Sequence, residues 1–597
     1  MDSVGGRVQK LDDLLKKYWG YDQLLPLQRE AIQCAIEGRD SLVVLPTGGG
    51  KSLCFQAPAL CRDGITLVVS PLISLMKDQV DGLTELGIAA ARFDSSLSPH
   101  EQEDVLQALD DDRLKLLYLS PERIMMRSFI QLLQQRRVAM VAVDEAHCVS
   151  MWGHDFRPEY RKLGRLKEIL PGIAVHAYTA TATQQVRDDI VTQLQLRKPS
   201  ILVGSFDRPN LVYAVERRID LLGQVRAVLD RHERESCIVY CIRRADVDDL
   251  SLRLRQAGVQ AAAYHAGLPD EERKTVQDAF AQEEIDVVVA TVAFGMGIHK
   301  PNVRAVIHAA LPKSLEHYQQ ESGRAGRDGL PAECVLLYGG SDHKTWTFII
   351  EQSESEQAVD ISQRKLRDML AYATGVGCRH RTLVEYFGQS FHGTNCHACD
   401  VCLGELEPLA DALVVAQKIL SCVYRLKEQF GAEHTAQVLL GSRSKRIIDR
   451  QHHELSTYAL LEAFPKTLVL DWIEQLVGQG CLRKRGEFQQ LALTPRGWSV
   501  LRGEETPQLL RPSDRAKQAR PTESWKGVDQ GLFDSLRQLR RDIAAQRNVP
   551  AYIVFGDTSL REMARTRPTT ELGFRQVTGV GEVKARQLGE AFLERIR

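Results

Sequence analysis

The stretch LPTGGGKS, Leu45 to Ser52, most limits what this chain can fold into. It directly follows an apolar run, SLVV, and precedes a helical pattern. A buried strand that breaks at glycines and restarts as a helix can form a phosphate loop. Thr47, Gly48, Gly49 and Gly50 form the turn, where backbone amides can face an anion. Lys51 can reach β- and γ-phosphates, and the Ser52 hydroxyl can ligate magnesium. The usual first glycine of this pattern is Leu45 here. A glycine-rich strand–helix turn with a surface lysine is the alternative.

At 597 residues the chain is too long for one core. From about residue 25 to 345, short apolar runs alternate with helical patterns. SLVV, TLVVSP, LKLLYLSP, VAMVAVDE and VHAYTATA form one series; CIVYCI, DVVVAT and RAVIHAA form a second. Uninterrupted apolar strands are expected where helices cover both sheet faces, so the fold class is α/β with two tandem parallel-sheet domains. SFDRPNL, Ser205 to Leu211, is the expected hinge. Later segments read as helical and mixed, and the polar, Pro-containing stretch 504–526 reads as a linker. The formal net charge is -1, so binding to a polyanion needs local basic patches. No apolar run approaches the ~20 residues of a membrane span, and the polar N-terminus does not read as a secretory signal.

DEAHCVSMWGHDFRPEY, Asp144 to Tyr160, pairs two kinds of chemistry in one loop. Asp144 can hold a magnesium shell while Glu145 orients and deprotonates a water. Alone, such a pair is more often a solvated helix start. Further along, Trp152 and Phe156 offer faces for base stacking and Arg157 can meet a phosphate. The same two aromatics could equally anchor a long loop to a core.

Of the 13 cysteines, Cys378, Cys396, Cys399 and Cys402 stand together around NCHACDVC. Three at two-residue gaps plus one upstream suit tetrahedral zinc, with His397 as a competing ligand. Four protein ligands leave no position for substrate, so the metal is expected to be structural.

With these motifs the chain resembles a superfamily 2 helicase of the RecQ family, of the compact bacterial type. TATAT (Thr179 to Thr183), AYHAGL (Ala263 to Leu268), ATVAFGMGIHKPNV (Ala290 to Val303) and QESGRAGRDGLPAE (Gln320 to Glu333) add to it. The resemblance implies RecA-like domains at 1–208 and 209–345, a zinc-binding helical subdomain at 346–406, a winged-helix domain at 407–503 and an HRDC-like domain at 527–597. It implies an ATP-dependent DNA helicase moving 3′ to 5′, in recombination and repair. Arg327 would be the arginine finger, supported by Arg324 and Gln320. Tyr21 would stack on adenine and Gln28 bond its edge, although Leu25 stands where the family has an arginine. His147 and His154 would relay the state of the aromatic loop, including a DNA contact at His154, to the ATP site. The four-sulfur set matches the family's zinc site.

In the winged-helix domain, Arg443, Lys445 and Arg446 could meet duplex phosphates. CLRKRGEFQQLALT reads as two strands joined in a short wing, with Phe488 either a wedge on a base pair or part of a solvated turn. In the last module, Tyr552 reads as core and VTGVGEVKARQLG as a turn whose amides can meet phosphates. The family further implies single- and double-stranded DNA as partners, single-stranded DNA-binding protein at the winged helix, and a monomer in the cytoplasm at the nucleoid. An RNA remodeller and a non-catalytic DNA-binding or annealing scaffold are the alternative readings.

Overall fold

The computed structural model describes residues 10–295, 300–353, 356–486, 489–513, 525–547 and 549–597. Its first lobe is a seven-stranded, wholly parallel sheet. In chain order the strands are β1 (Ser41–Val44), β2 (Ile65–Val69), β3 (Ala90–Phe93), β4 (Leu116–Leu119), β5 (Val138–Val143), β6 (Val175–Thr179) and β7 (Ser200–Val203). Their spatial order is β3-β4-β2-β5-β6-β1-β7. Successive side chains enter opposite cores: Leu42 and Val44 join one apolar cluster, and Val43 and Leu45 the other. That is why these strands read as unbroken apolar runs.

The second lobe repeats the plan with six parallel strands. They are β8 (Leu211–Arg217), β9 (Ser236–Tyr240), β10 (Ala261–Tyr264), β11 (Val287–Ala290), β12 (Val303–His308) and β13 (Ala332–Tyr338). The spatial order is β10-β11-β9-β12-β13-β8, and Ile238 and Val239 again belong to cores on opposite faces.

Helices Asp342–Ser353, Glu356–Thr374 and Arg379–Tyr386 then lead into the cysteine turn. Ile350, Leu366, Met369, Leu383 and Cys399 share one core with the second lobe. Phe387 crosses to the first lobe and stacks on Phe206 of the interlobe segment, ring centroids 4.5 Å apart. The cysteine turn also extends the second sheet at its edge. Tyr213 N donates to Ala398 O (3.0 Å) and Asp400 N to Tyr213 O (2.9 Å).

A separate core around Trp472 and Leu476 organises the next unit. Strands β15 (Leu482–Arg485) and β16 (Gln490–Leu493) pair antiparallel there, as expected for a short wing. Phe488 lies outside the described residues. Between these elements and the cysteine turn, β14 (Leu406–Pro408) pairs antiparallel with β17 (Leu510–Pro512). Part of the stretch expected to be a linker is therefore tied by backbone hydrogen bonds to the segment after the cysteines. Its Pro and charged residues are compatible with a short edge pair.

The last module has its own core, built on helices Gln530–Arg547, Asp557–Thr566 and Glu582–Ile596. It docks on both lobes. Glu283 of the second lobe, 1% exposed, pairs with Arg540 (2.7 Å), Arg537 (2.9 Å) and Arg541 (3.2 Å). Asn302 donates to Glu283 (2.8 Å) and to Asp557 (3.2 Å). On the first lobe, Gly20 meets Gly581 so closely that a Cβ on Gly20 would lie 2.6 Å from Gly581 N. Among the described residues no helix is long and apolar enough to cross a membrane.

Candidate active site and nucleic-acid interface

Strand order brings the two main motifs together. β1 and β5 each pair with β6, so the loops leaving their C-terminal ends open on the same crevice. Gly48 (φ 87°) and Gly50 (φ 70°) take left-handed conformations in the first loop. A Cβ on Gly50 would stand 2.2 Å from Gln28 Nε2. Lys51 donates to Leu45 O (3.0 Å), and Ser52 Oγ accepts from Gln79 Nε2 (3.1 Å). Gln28 donates to Gly49 O (3.2 Å) and Gly50 O (3.3 Å) while accepting from Leu25 N (2.8 Å). That amide, expected at the adenine edge, braces the glycine loop in this state.

One cavity of about 380 Å3 gathers Tyr21, Thr47, Gly48, Gly50, Lys51 and Ser52 with Asp144, Glu145, Gln320, Arg324 and Arg327. Gly49 faces back toward Pro46, where its Cβ would be 2.9 Å from a carbonyl oxygen. The second lobe supplies the arginines: Gln320 lies on helix Leu315–Ser322 and Arg327 follows the turn after it. The two loops touch, since a Cβ on Gly48 would lie 3.4 Å from Arg327 Cα. Gln79 also lines the cavity. No motif marked it, because its helix pattern reads as ordinary amphipathic sequence. It bonds Ser52, Gln56 and Tyr118.

The charges are set by burial and by each other. Burial pushes the Asp144 carboxyl up and Glu145 adds to it, with Lys51 opposing. Burial would raise Glu145 too, but His147, 3.3 Å away, holds it down. Lys51 is lowered by burial, against the pull of Glu145 and Asp144. Arg327 falls to about 9 through burial and the neighbouring Arg324 and Arg208 charges. A crevice holding two guanidinium groups and an ammonium suits a polyanion.

His147 Nδ1 also lies 2.9 Å from Thr179 Oγ1 of TATAT. Its ring stacks on His154 (3.9 Å between centroids), which meets His317 of the second lobe edge-on (5.3 Å). The two histidines expected to relay the state of the loop are in contact, and the ring series runs one step further across the cleft. Burial and the His147 charge keep His154 well below its ordinary value. Trp152 is 36% exposed, and Arg161 covers the Phe156 ring at 5.1 Å. Arg157, expected to meet a phosphate, is engaged within the first lobe, donating to Asp155 Oδ2 (3.1 Å) in the loop and to Pro71 O (3.0 Å) after β2. Lys365 donates to Trp152 O (2.7 Å) and pairs with Glu316 (2.8 Å). A second cavity of about 380 Å3 lies here, lined by His154, Phe156, Lys313, His317 and Lys365 among others.

The four sulfurs of Cys378, Cys396, Cys399 and Cys402 lie within 4.8 Å of one another, and His397 is not among the grouped ligands. Ala398 N donates to Cys396 Sγ and Cys402 N to Cys399 Sγ, each at 3.4 Å, as suits thiolates. The donor set fits zinc. Behind it, buried Arg379 pairs with Asp400 (2.9 Å), and Asp400 Oδ2 accepts from Val215 N of β8 (3.0 Å).

Arg443, Lys445 and Arg446 are exposed around the start of helix Lys445–Asp449. Arg450, unmarked by any motif, lies over the Phe430 ring (5.2 Å) beside Arg446 (5.9 Å). Two expectations for the last module change. Tyr552 is outside that module's core; it faces Asp78, Arg327 and Asp81 of the motor, and its hydroxyl is raised by burial. The glycine turn at Gly581 is occupied by Gly20, so it is not open to a phosphate in this arrangement. In both cases docking on the motor takes a surface that local sequence left unassigned.

The lobes define a two-domain helicase motor: residues 25–190 match the DEAD/DEAH box helicase family and 218–329 the helicase conserved C-terminal domain. Residues 340–403 match RecQ zinc-binding, 408–518 the RQC domain and 529–596 the HRDC domain. Over 592 residues the chain is 43% identical to "ATP-dependent DNA helicase RecQ" of Haemophilus influenzae, covering 98% of this chain and 95% of that one. A Bacillus subtilis protein of the same name is 40% identical over 593 residues, 99% of each chain. The chain belongs to the RecQ family.

Proposed function

We propose that this protein couples DNA-stimulated ATP hydrolysis to 3′–5′ translocation and unwinding of duplex DNA in recombination and repair. The observation that carries the reading is the single crevice in which Lys51, Asp144 and Glu145 of one lobe face Arg324 and Arg327 of the other. Lys51 binds the β- and γ-phosphates. Ser52 and Asp144, both hard oxygen donors, would hold magnesium, which when bound neutralises phosphate charge. Glu145, kept ionised by His147, orients and deprotonates the water. Arg327 stabilises charge on the γ-phosphoryl group, and Arg324 and Gln320 support it. Tyr21 takes the base by stacking, and Gln28 reaches it once released from the glycine loop.

Single-stranded DNA runs along Trp152, Phe156 and the cavity beside His317. Duplex phosphates meet Arg443, Lys445 and Arg446. Single-stranded DNA-binding protein docks on the winged-helix unit, and the protein works as a monomer at the nucleoid. The test is strand displacement on tailed duplexes of both polarities, with RNA duplexes in parallel. ATP-dependent displacement from 3′-tailed DNA is expected, and Lys51→Ala abolishes it. DNA-dependent phosphate release equal in wild type and Lys51→Ala would defeat the catalytic reading and favour a scaffold.

A further inference from the structure

The interlobe segment carries a residue that no motif singled out. Arg208 follows Phe206 and Asp207, and those two are held from the zinc-binding side. Phe206 N donates to Gln389 Oε1 (2.9 Å), and His380 Nδ1 pairs with Asp207 Oδ1 (2.6 Å). Arg208 turns the other way, toward the phosphate loop and the finger turn.

Its guanidinium meets carbonyl oxygens from both lobes. Nη1 donates to Thr47 O of the phosphate loop (2.5 Å). It also reaches Gly323 O (3.5 Å), while Nη2 donates to Ala325 O (3.2 Å) and Gly326 O (2.9 Å) of the finger turn. Asn210, two residues on, ties the far side of that turn through Gly326 O and Leu330 O, each at 2.9 Å. Burial lowers the Arg208 pKa, and its charge in turn lowers that of Arg327. Two like charges are therefore held close in a partly desolvated crevice, which is costly unless carbonyl dipoles and an anion offset it.

We propose that Arg208 is a positioning residue that makes hydrolysis depend on closure: it fixes the finger turn against the phosphate loop only when the lobes meet. Its acceptors divide between the lobes, so opening the cleft separates Thr47 from the three finger-turn carbonyls and breaks the fork. When the cleft closes, the fork re-forms and sets where Arg327 stands relative to the γ-phosphate. A planar guanidinium can serve two loops at once, whereas a lysine ammonium is a point donor. The inference rests on the crevice being the ATP site, and it adds a closure sensor within the hinge.

The experiment uses full-length wild type, Arg208→Lys and Arg208→Gln, with zinc content and thermal melting as controls of folding. Both variants are expected to melt like wild type and to bind a fluorescent ATP analogue within about threefold of it, yet to lose at least about tenfold in DNA-stimulated kcat. Arg208→Lys is expected not to rescue. The inference is overturned if Arg208→Lys keeps wild-type kcat, or if the kcat loss is matched by weaker analogue binding or lower melting temperature. Wild type without DNA-stimulated hydrolysis would defeat the assignment of the crevice itself, which distinguishes that failure from a failure of Arg208 alone.

Discussion

The zinc-binding segment and the C-terminal module are attached to the motor by opposite physics. The first is continuous with it. Its helices share an apolar core with the second lobe, and its cysteine turn adds backbone hydrogen bonds to that lobe's edge strand. The C-terminal module has a core of its own and docks through polar contacts, with Glu283 and Asp557 facing a row of arginines. A segment merged into a neighbour's core cannot be lost without unfolding that neighbour. A self-sufficient module held by buried ion pairs can leave intact.

Loss of the metal tests the contrast most severely. Structural zinc contributes about 10–16 kcal/mol of apparent binding free energy in small domains, so Cys399→Ser or chelation should lower the motor's melting temperature by on the order of 10 °C. Calorimetry with zinc analysis measures it, and an unchanged motor transition would break the comparison. Asp400→Asn should come next. It leaves the buried Arg379 charge uncompensated, at a cost of about 3–5 kcal/mol, read from urea unfolding of the motor.

Glu283→Gln should act on docking alone. Arg537, Arg540, Arg541 and Lys300 would face one another without their carboxylate, weakening the interface by about 3 kcal/mol. Hydrogen exchange should rise on helix Gln530–Arg547 where it meets the motor, while the module's own melting stays within about 2 °C of wild type. Collapse of the module instead would show that its core does not suffice. The smallest effect is that of pH. Burial would raise Glu283, but Lys300, Arg540 and Arg537 hold it well below the usual carboxylate range. Its contribution is complete above the unfolded value of about 4.3 and is lost only as pH falls through the depressed one; Lys300 beside it is lowered to about 8 by burial, so docking should be unchanged from about pH 7 to 5.5.

The buried centre of each lobe was legible in the sequence because both faces of β1, β5 and β9 are covered, which leaves unbroken apolar runs. The outer strands β3 and β7 were not, since AARF and SILV are mostly only half-buried and carry no such run. The phosphate loop, the Asp144–Glu145 pair and the four cysteines could be read because their chemistry is local. Docking of the last module could not: Arg540 and Glu283 are 257 residues apart, and each looks like an ordinary surface charge in its own helix or turn. Arg208 was hidden for a related reason. All its strong partners are carbonyl oxygens, which every residue has, so no side-chain pattern announces them.

The cysteine turn has one more consequence, from its place beside Tyr213. β8 ends the second sheet, and a bare sheet end is a template for any other extended chain. The turn occupies that template at Ala398 and Asp400. Stripping the metal would therefore make the protein sticky as well as soft, and chelated samples should clump through β8.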